Sequence, residues 1–283
     1  MTGAGAPGTF FDAHLQAEAL RARDLTDLRF FGVAGALVPL PAGRPSSTAA
    51  DLRRAWEDLA VGALGRMRQR GFAAFGALSV PPDRIPARGL EALLAELPDW
   101  LSRPRISAIG PVGACSGSPR EEEVLSRQLE MARELRVPVL LEVPPPRGPR
   151  QVRRAIALLQ ESALPPERVL VDGTDARTVR LLRAVGYVAV LSLSAGDGEI
   201  DAPLRIVRSL GPEGIAFASH AGDGTGDLLA LPRAADRMAR AGLSAAVIRR
   251  VCGRNALEVL GIAPADVRDA GAPSARSDRR TSR

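Results

Sequence analysis

Short apolar runs alternate with amphipathic segments along almost the whole chain. Eight runs read as strands: 9–14 (TFFDAH), 30–40 (FFGVAGALVPL), 72–80 (FAAFGALSV), 105–112 (RISAIGPV), 137–143 (VPVLLEV), 168–173 (RVLVDG), 187–194 (YVAVLSLS) and 214–220 (GIAFASH). They are nearly continuous in apolar residues rather than strictly alternating, as in strands buried on both faces of a parallel sheet. A helical period fills the gaps. Residues 48–70 follow a Ser-Ser-Thr cap region and carry Leu52, Trp56, Leu59 and Leu64 on one face. Residues 119–135 open on Ser118-Pro119, a cap followed by a first-turn proline, and continue through Val124, Leu125, Leu129, Ala132 and Leu135. Segments 175–185, 201–210, 228–241 and 244–260 repeat the theme. Breaks at Arg70-Gly71, Pro165-Pro166, Val185-Gly186 and Leu210-Gly211 hand helices over to the next strand.

Eight strands separated by helices predict an α/β fold, a (β/α)8 TIM barrel, over residues 1–262. An open doubly wound sheet shares the alternation, but no GxGxxG follows the first strand to support its dinucleotide-binding form. The segment from 263 to 283 is polar and rich in small residues, and reads as a disordered tail. A chain of 283 residues is compatible with one such barrel.

The net charge of +6 raises the question of nucleic acid. Every basic residue is an arginine, and the signs are mixed at helical spacing, as in RDLTDLR and RRAWEDL. Mixed-sign helical faces are solvated surface, and 4% aromatics are too few for base-stacking platforms. Specific nucleic-acid binding is therefore not expected. Cys115 and Cys252 form no CxxC pair, which argues against a disulfide framework or a zinc knuckle. The N-terminus lacks a basic and an apolar region of signal-peptide type, and the longest apolar run is broken by proline. A cytoplasmic protein without membrane association is the expectation.

In such a barrel, chemistry sits at the C-terminal ends of the strands. Strand 1 ends in Asp12 and His14 with Gln16 beyond; strand 5 ends in Glu142, strand 6 in Asp172, and strand 8 in Ser219-His220 leading to Asp223. His14 and His220 are the two histidines of the chain. Strands 1 and 8 meet where a barrel closes, so the pair can share one pocket. Two weaker candidates are a Cys115 nucleophile and the glycine-rich loops SAGDG and AGDGTGD as phosphate sites. A free structural thiol and ordinary turns are the simpler readings of these.

FFDAHLQ, ISAIGPVG, EEEVLSRQLEMARELRVPVLLEVPPP, LPPERVLVDGTDARTVRLLRAVGYVAVLSLS and LPRAADRMARAGLSAAVIRRVCGRNALEVLGI together resemble the TatD-like metal-dependent hydrolases of the amidohydrolase superfamily. The resemblance lies with the TatD-related, EboB-like branch and spans about residues 9 to 262. It implies a metal site at the barrel mouth, and departs from the family at the ligands. The strand 1 H-x-H keeps His14 and has Gln16 for its second histidine. The strand 4 glutamate is Pro111, and the strand 5 histidine is Glu142. The histidine after Asp172 is Gly173, and the strand 8 aspartate corresponds to His220, Gly222 or Asp223 depending on register.

Proline and glycine offer no side-chain donor, so the five or six donors of a two-metal centre are not met. The first expectation is a hydrolase homologue that is catalytically impaired, or repurposed to bind a small-molecule ligand or a protein partner. The second is an active mononuclear enzyme. In it His14, Glu142 and His220 hold one divalent ion, zinc or iron, and Asp172 or Asp223 transfers protons.

Overall fold

The computed structural model describes residues 9–41, 48–114, 116–143, 149–193, 200–222 and 226–268. All eight expected strands are present: β1 (Phe10–Asp12), β2 (Val33–Pro39), β3 (Ala73–Leu78), β4 (Ile106–Val112), β5 (Val139–Glu142), β6 (Val169–Asp172), β7 (Val188–Ser192) and β8 (Ile215–Ala218). They pair in parallel in chain order, β1 through β8. The ring closes through backbone bonds just past β1: Ala13 N donates to Phe217 O (3.1 Å) and His220 N to His14 O (3.0 Å). The architecture is a (β/α)8 TIM barrel.

The helices in chain order are α1 (Ala22–Phe30), α2 (Ala49–Glu57), α3 (Leu64–Gln69), α4 (Leu90–Leu101), α5 (Pro119–Leu135) and α6 (Pro149–Glu161). They continue with α7 (Ala176–Val185), α8 (Asp201–Leu210), α9 (Ala230–Arg240), α10 (Ala245–Arg249), α11 (Asn255–Leu260) and α12 (Pro264–Arg268). The 48–70 segment is one helical path with a π-helical stretch, Asp58–Ala63, between α2 and α3. Its start is the expected one: Thr48 accepts from Asp51 N, and the Asp51 carboxylate accepts from Thr48 N.

Period-two alternation sorts the strand residues. Val139 and Leu141 of β5, and Val169 and Val171 of β6, pack outward against the helices, whereas Leu140 and Leu170 fill the barrel interior. Continuing that period turns Glu142 and Asp172, partners in the β5–β6 register, toward the inside at the mouth. The interior is built of small residues, Ala73, Ala77, Ala108, Ala216 and Ala218, with Phe11 and Phe75 among them. Leu257 and Leu260 of α11 pack into this same cluster. Gly253 lets the turn before α11 lie close to β1, since a Cβ there would stand 3.0 Å from Phe11 N.

Buried hydrogen bonds tie the strand tops to the outer helices. Trp56 Nε1 donates to Ser79 O (2.8 Å), and Ser79 Oγ to Pro111 O (2.7 Å). Gln128 of α5 accepts from Val80 N (2.7 Å) and donates to Val80 O (3.0 Å).

The tail begins later than expected. Residues Pro264–Arg268 form α12, and its Val267, 2% exposed, belongs to the barrel-interior cluster. The ordered domain therefore reaches at least 268; 269–283 lie outside the described residues. Replacing Val267 by Ala removes buried carbon worth about 1.5–2.5 kcal/mol. A denaturant melt should show that loss, whereas a residue in a disordered tail would leave the midpoint unmoved.

Candidate metal centre

The first and last strands carry the site into place together. Past β1 and β8 the two chains stay paired, with Gln16 N donating to Ala221 O (2.8 Å) and Ala19 N to Gly222 O (2.8 Å). The approach is so close that a Cβ on Gly222, at φ +104°, would lie 2.0 Å from Gln16 O. The Asp12 carboxylate bridges the same seam, accepting from His14 N and from Ser219 N, each at 3.1 Å. Its burial pushes the carboxyl above its usual range, a shift that the bonds from Ser219 and His14 moderate.

His220 follows at φ +52°, in the left-handed region. That conformation costs a non-glycine residue roughly 1–2 kcal/mol. The bond from His220 N to His14 O holds the turn there. Its ring then lies 4.1 Å from that of His14, centroid to centroid, at an interplanar angle of 44°.

Asp172 joins the two imidazoles. His14 Nδ1 is 2.7 Å from Asp172 Oδ2, and His220 Nε2 is 3.2 Å from the same oxygen and 3.3 Å from Oδ1. Asp172 also accepts from Gly173 N. Asp172 is fully buried, His14 nearly so, and the His220 side chain is 29% exposed. The cluster is thus deep on the Asp172 side and open on the His220 side. Burial alone would raise the Asp172 pKa, but the charge on His220 and the hydrogen bonds from both histidines hold it well below the usual carboxylate range. Burial alone would lower the His220 pKa. The adjacent Asp172 carboxylate and its hydrogen bond outweigh that, with Asp12 and Glu142 adding to them, and raise it to about 9.

Among the described residues, the group able to offer metal ligands within 4.8 Å of one another is His14, Asp172 and His220. Two imidazoles and one carboxylate are a donor set suited to a single zinc or iron ion. The chemistry of the donors therefore fits one divalent ion. Glu142, expected as the third ligand, stands outside this group; Asp172, expected as a base, stands in it and bonds both histidines. Glu142 is close enough for the cluster to act on its carboxyl. Burial first, and then the Asp172 carboxylate, raises its pKa, while His14 and His220 pull the other way.

Of the three residues considered for the strand 8 position, His220 reaches the site. Gly222 packs on the Gln16 backbone, and Asp223 lies outside the described residues, as do Cys115 and most of the two glycine-rich loops. Cys252 is fully buried, and burial raises its thiol pKa. No helix of the described residues is long and apolar enough to cross a membrane.

The barrel has counterparts among solved structures. A TatD-like protein of Archaeoglobus fulgidus superposes with a TM-score of 0.75 at 21% identity, covering 89% of this chain and all of that one. The TatD homologue YjjV of Escherichia coli gives 0.65 at 16% identity, over 90% of this chain and 99% of its own. This is the fold of the TatD-like proteins. The phosphotriesterase homology protein of E. coli, solved with phosphate in its active site, gives 0.68 at 14% identity over 88% of this chain and 98% of that one. In sequence, the chain is 22% identical over 222 residues to the uncharacterized metal-dependent hydrolase MJ0761 of Methanocaldococcus jannaschii, covering 78% of this chain and 88% of the relative. No family model matches the chain.

Two outcomes follow from the seam. Asp12→Ala orphans two backbone N–H groups and should cost about 2–4 kcal/mol in a chemical melt. Asp12→Asn keeps an acceptor and removes a buried charge, and should stay within about 1 kcal/mol of the parent. In chelated protein the His220 ring should titrate by NMR with a midpoint near 9. Because the folded value lies above that of a free histidine, its contribution to stability is full below about pH 6.5. It is lost as pH rises through 9. A midpoint at or below 6.5 would show that Asp172 does not act on His220 as described.

Proposed function

We propose that the protein is a single-metal hydrolase in which His14, Asp172 and His220 hold one divalent ion, zinc or iron, and Glu142 moves protons. The observation that carries this reading is the convergence of three ligand-type side chains from β1, β6 and β8 at the C-terminal face of the barrel. The similarity to a metal-dependent hydrolase supports it. A bound divalent ion would supply Lewis-acid polarisation of an acyl or phosphoryl oxygen and a more acidic water.

The chain's own groups do the rest. Asp172 stays ionised and, with no ion bound, orients both imidazoles, facing His14 at Nδ1 and His220 at Nε2. Glu142 projects from the neighbouring strand with a raised pKa, the property a carboxyl needs to take a proton from an attacking water and return it to a leaving group. The exposed flank of His220 leaves the substrate side open. Ester, amide and phosphoester bonds are all within reach of such chemistry.

Purified protein never exposed to chelator should contain about one equivalent of zinc or iron. The His14→Ala/His220→Ala double variant should contain none. Absence of metal from the folded parent, even after incubation with zinc or iron, sinks the enzyme reading. The barrel would then be a binder of a small ligand or a protein partner. Glu142→Gln separates the two carboxylates: it should keep the metal and lower turnover about 10²–10⁴-fold. Loss of metal in that variant would instead make Glu142 a ligand.

A further inference from the structure

His14 presents its two ring nitrogens to different partners. Nδ1 faces Asp172 at 2.7 Å, and Nε2 faces the Gln16 side-chain nitrogen at 3.1 Å. A neutral imidazole carries one N–H, so what occupies Nδ1 dictates what Nε2 must find. With Nδ1–H donating to the Asp172 carboxylate, Nε2 holds a lone pair and accepts from the Gln16 amide. With Nδ1 giving its lone pair to a cation, the proton sits on Nε2 and needs an acceptor.

A glutamine amide meets both demands from one position, because turning it by half a revolution exchanges NH2 for C=O. A carboxylate could only accept, and a protonated amine could only donate. Among the described residues, the buried Gln16 Oε1 has no hydrogen-bond partner, so no such bond at that end opposes the exchange. The backbone is held, by the bond from Gln16 N to Ala221 O and by the close approach of Gly222 to Gln16 O. Motion is thereby confined to the side chain.

We propose that Gln16 is the positioning residue of His14. It donates to Nε2 while Nδ1 faces Asp172, and accepts from Nε2–H when Nδ1 is given to a divalent ion. The second half rests on the metal-site reading above; the first does not.

The test is the tautomer of His14, read from 15N shifts and long-range 1H–15N correlations of histidine-labelled protein, first chelated and then with one equivalent of zinc. The parent should show Nδ1–H when chelated and Nε2–H with zinc. Gln16→Glu can only accept, so it should protonate Nε2 in the chelated protein and abolish the neutral Nδ1–H signature. It should also keep zinc affinity at or above that of the parent. Gln16→Leu removes both bonds and should weaken zinc binding about 10–100-fold in competition with a chromophoric chelator. A His14 signature that is the same in chelated parent, Gln16→Glu and Gln16→Leu proteins, all folded by circular dichroism, overturns the role of Gln16. If the parent takes up no zinc, the metal reading fails by itself. The chelated comparison then still decides whether Gln16 sets the tautomer.

Discussion

One buried carboxylate holds the candidate site together. Asp172 has no exposed surface, and an ionised carboxylate in that position is costly unless it is paired. Its partners come from the opposite side of the chain's path: His14 after the first strand and His220 after the last. The requirement that this charge be satisfied thus links β6 to the β1–β8 seam across the mouth. It also sets the protonation of the cluster, since the carboxylate that both rings face favours the charged form of His220.

The seam itself is what brings the two histidines to the same place. Register between β1 and β8 is set by four backbone bonds beyond the short strands and by Asp12, whose carboxylate receives one N–H from each side. A slip of one residue would turn the following side chains away. The left-handed turn at His220 and the lack of a side chain at Gly222 are both needed for the chains to stay in contact through Ala221. Backbone constraint at this seam therefore comes before any ligand chemistry.

Much of this was legible in the sequence. The eight strands stood out because strands buried on both faces are unbroken apolar runs, and each observed strand falls inside its expected segment. Helices α1, α4 and α6 were not picked out. Helix α1 has Arg21 at its N-cap position with no side-chain capping bond, and α4 starts from a left-handed Gly89 and contains Pro98, so their signals are weak. Tail position 267 was misjudged because one buried valine inside a polar stretch carries no periodicity. The two histidines were legible as a pair, since strand order in a closed barrel makes first and last neighbours. The partner of that pair was not. Glu142 and Asp172 both end their strands facing inward, and only the three-dimensional path shows that the second hydrogen-bonds both rings. The relation of Gln16 to Nε2 of His14 is a matter of side-chain direction, which spacing alone does not carry.

The two strand-end carboxylates are shifted in opposite directions for a physical reason. Glu142 and Asp172 are register partners on adjacent strands and begin from the same intrinsic acidity class. Asp172 receives hydrogen bonds from two imidazoles and is driven far to the ionised side. Glu142 receives the repulsion of that very charge on top of its own burial and is driven toward the protonated side. Each displacement reinforces the other, because every gain in ionisation at Asp172 makes ionisation of Glu142 harder. A carboxylate held on the ionised side suits holding a cation or orienting ligands. A carboxyl poised to change state suits moving a proton. Which of the two acids is held ionised therefore follows from which one the β1–β8 seam places its histidines against.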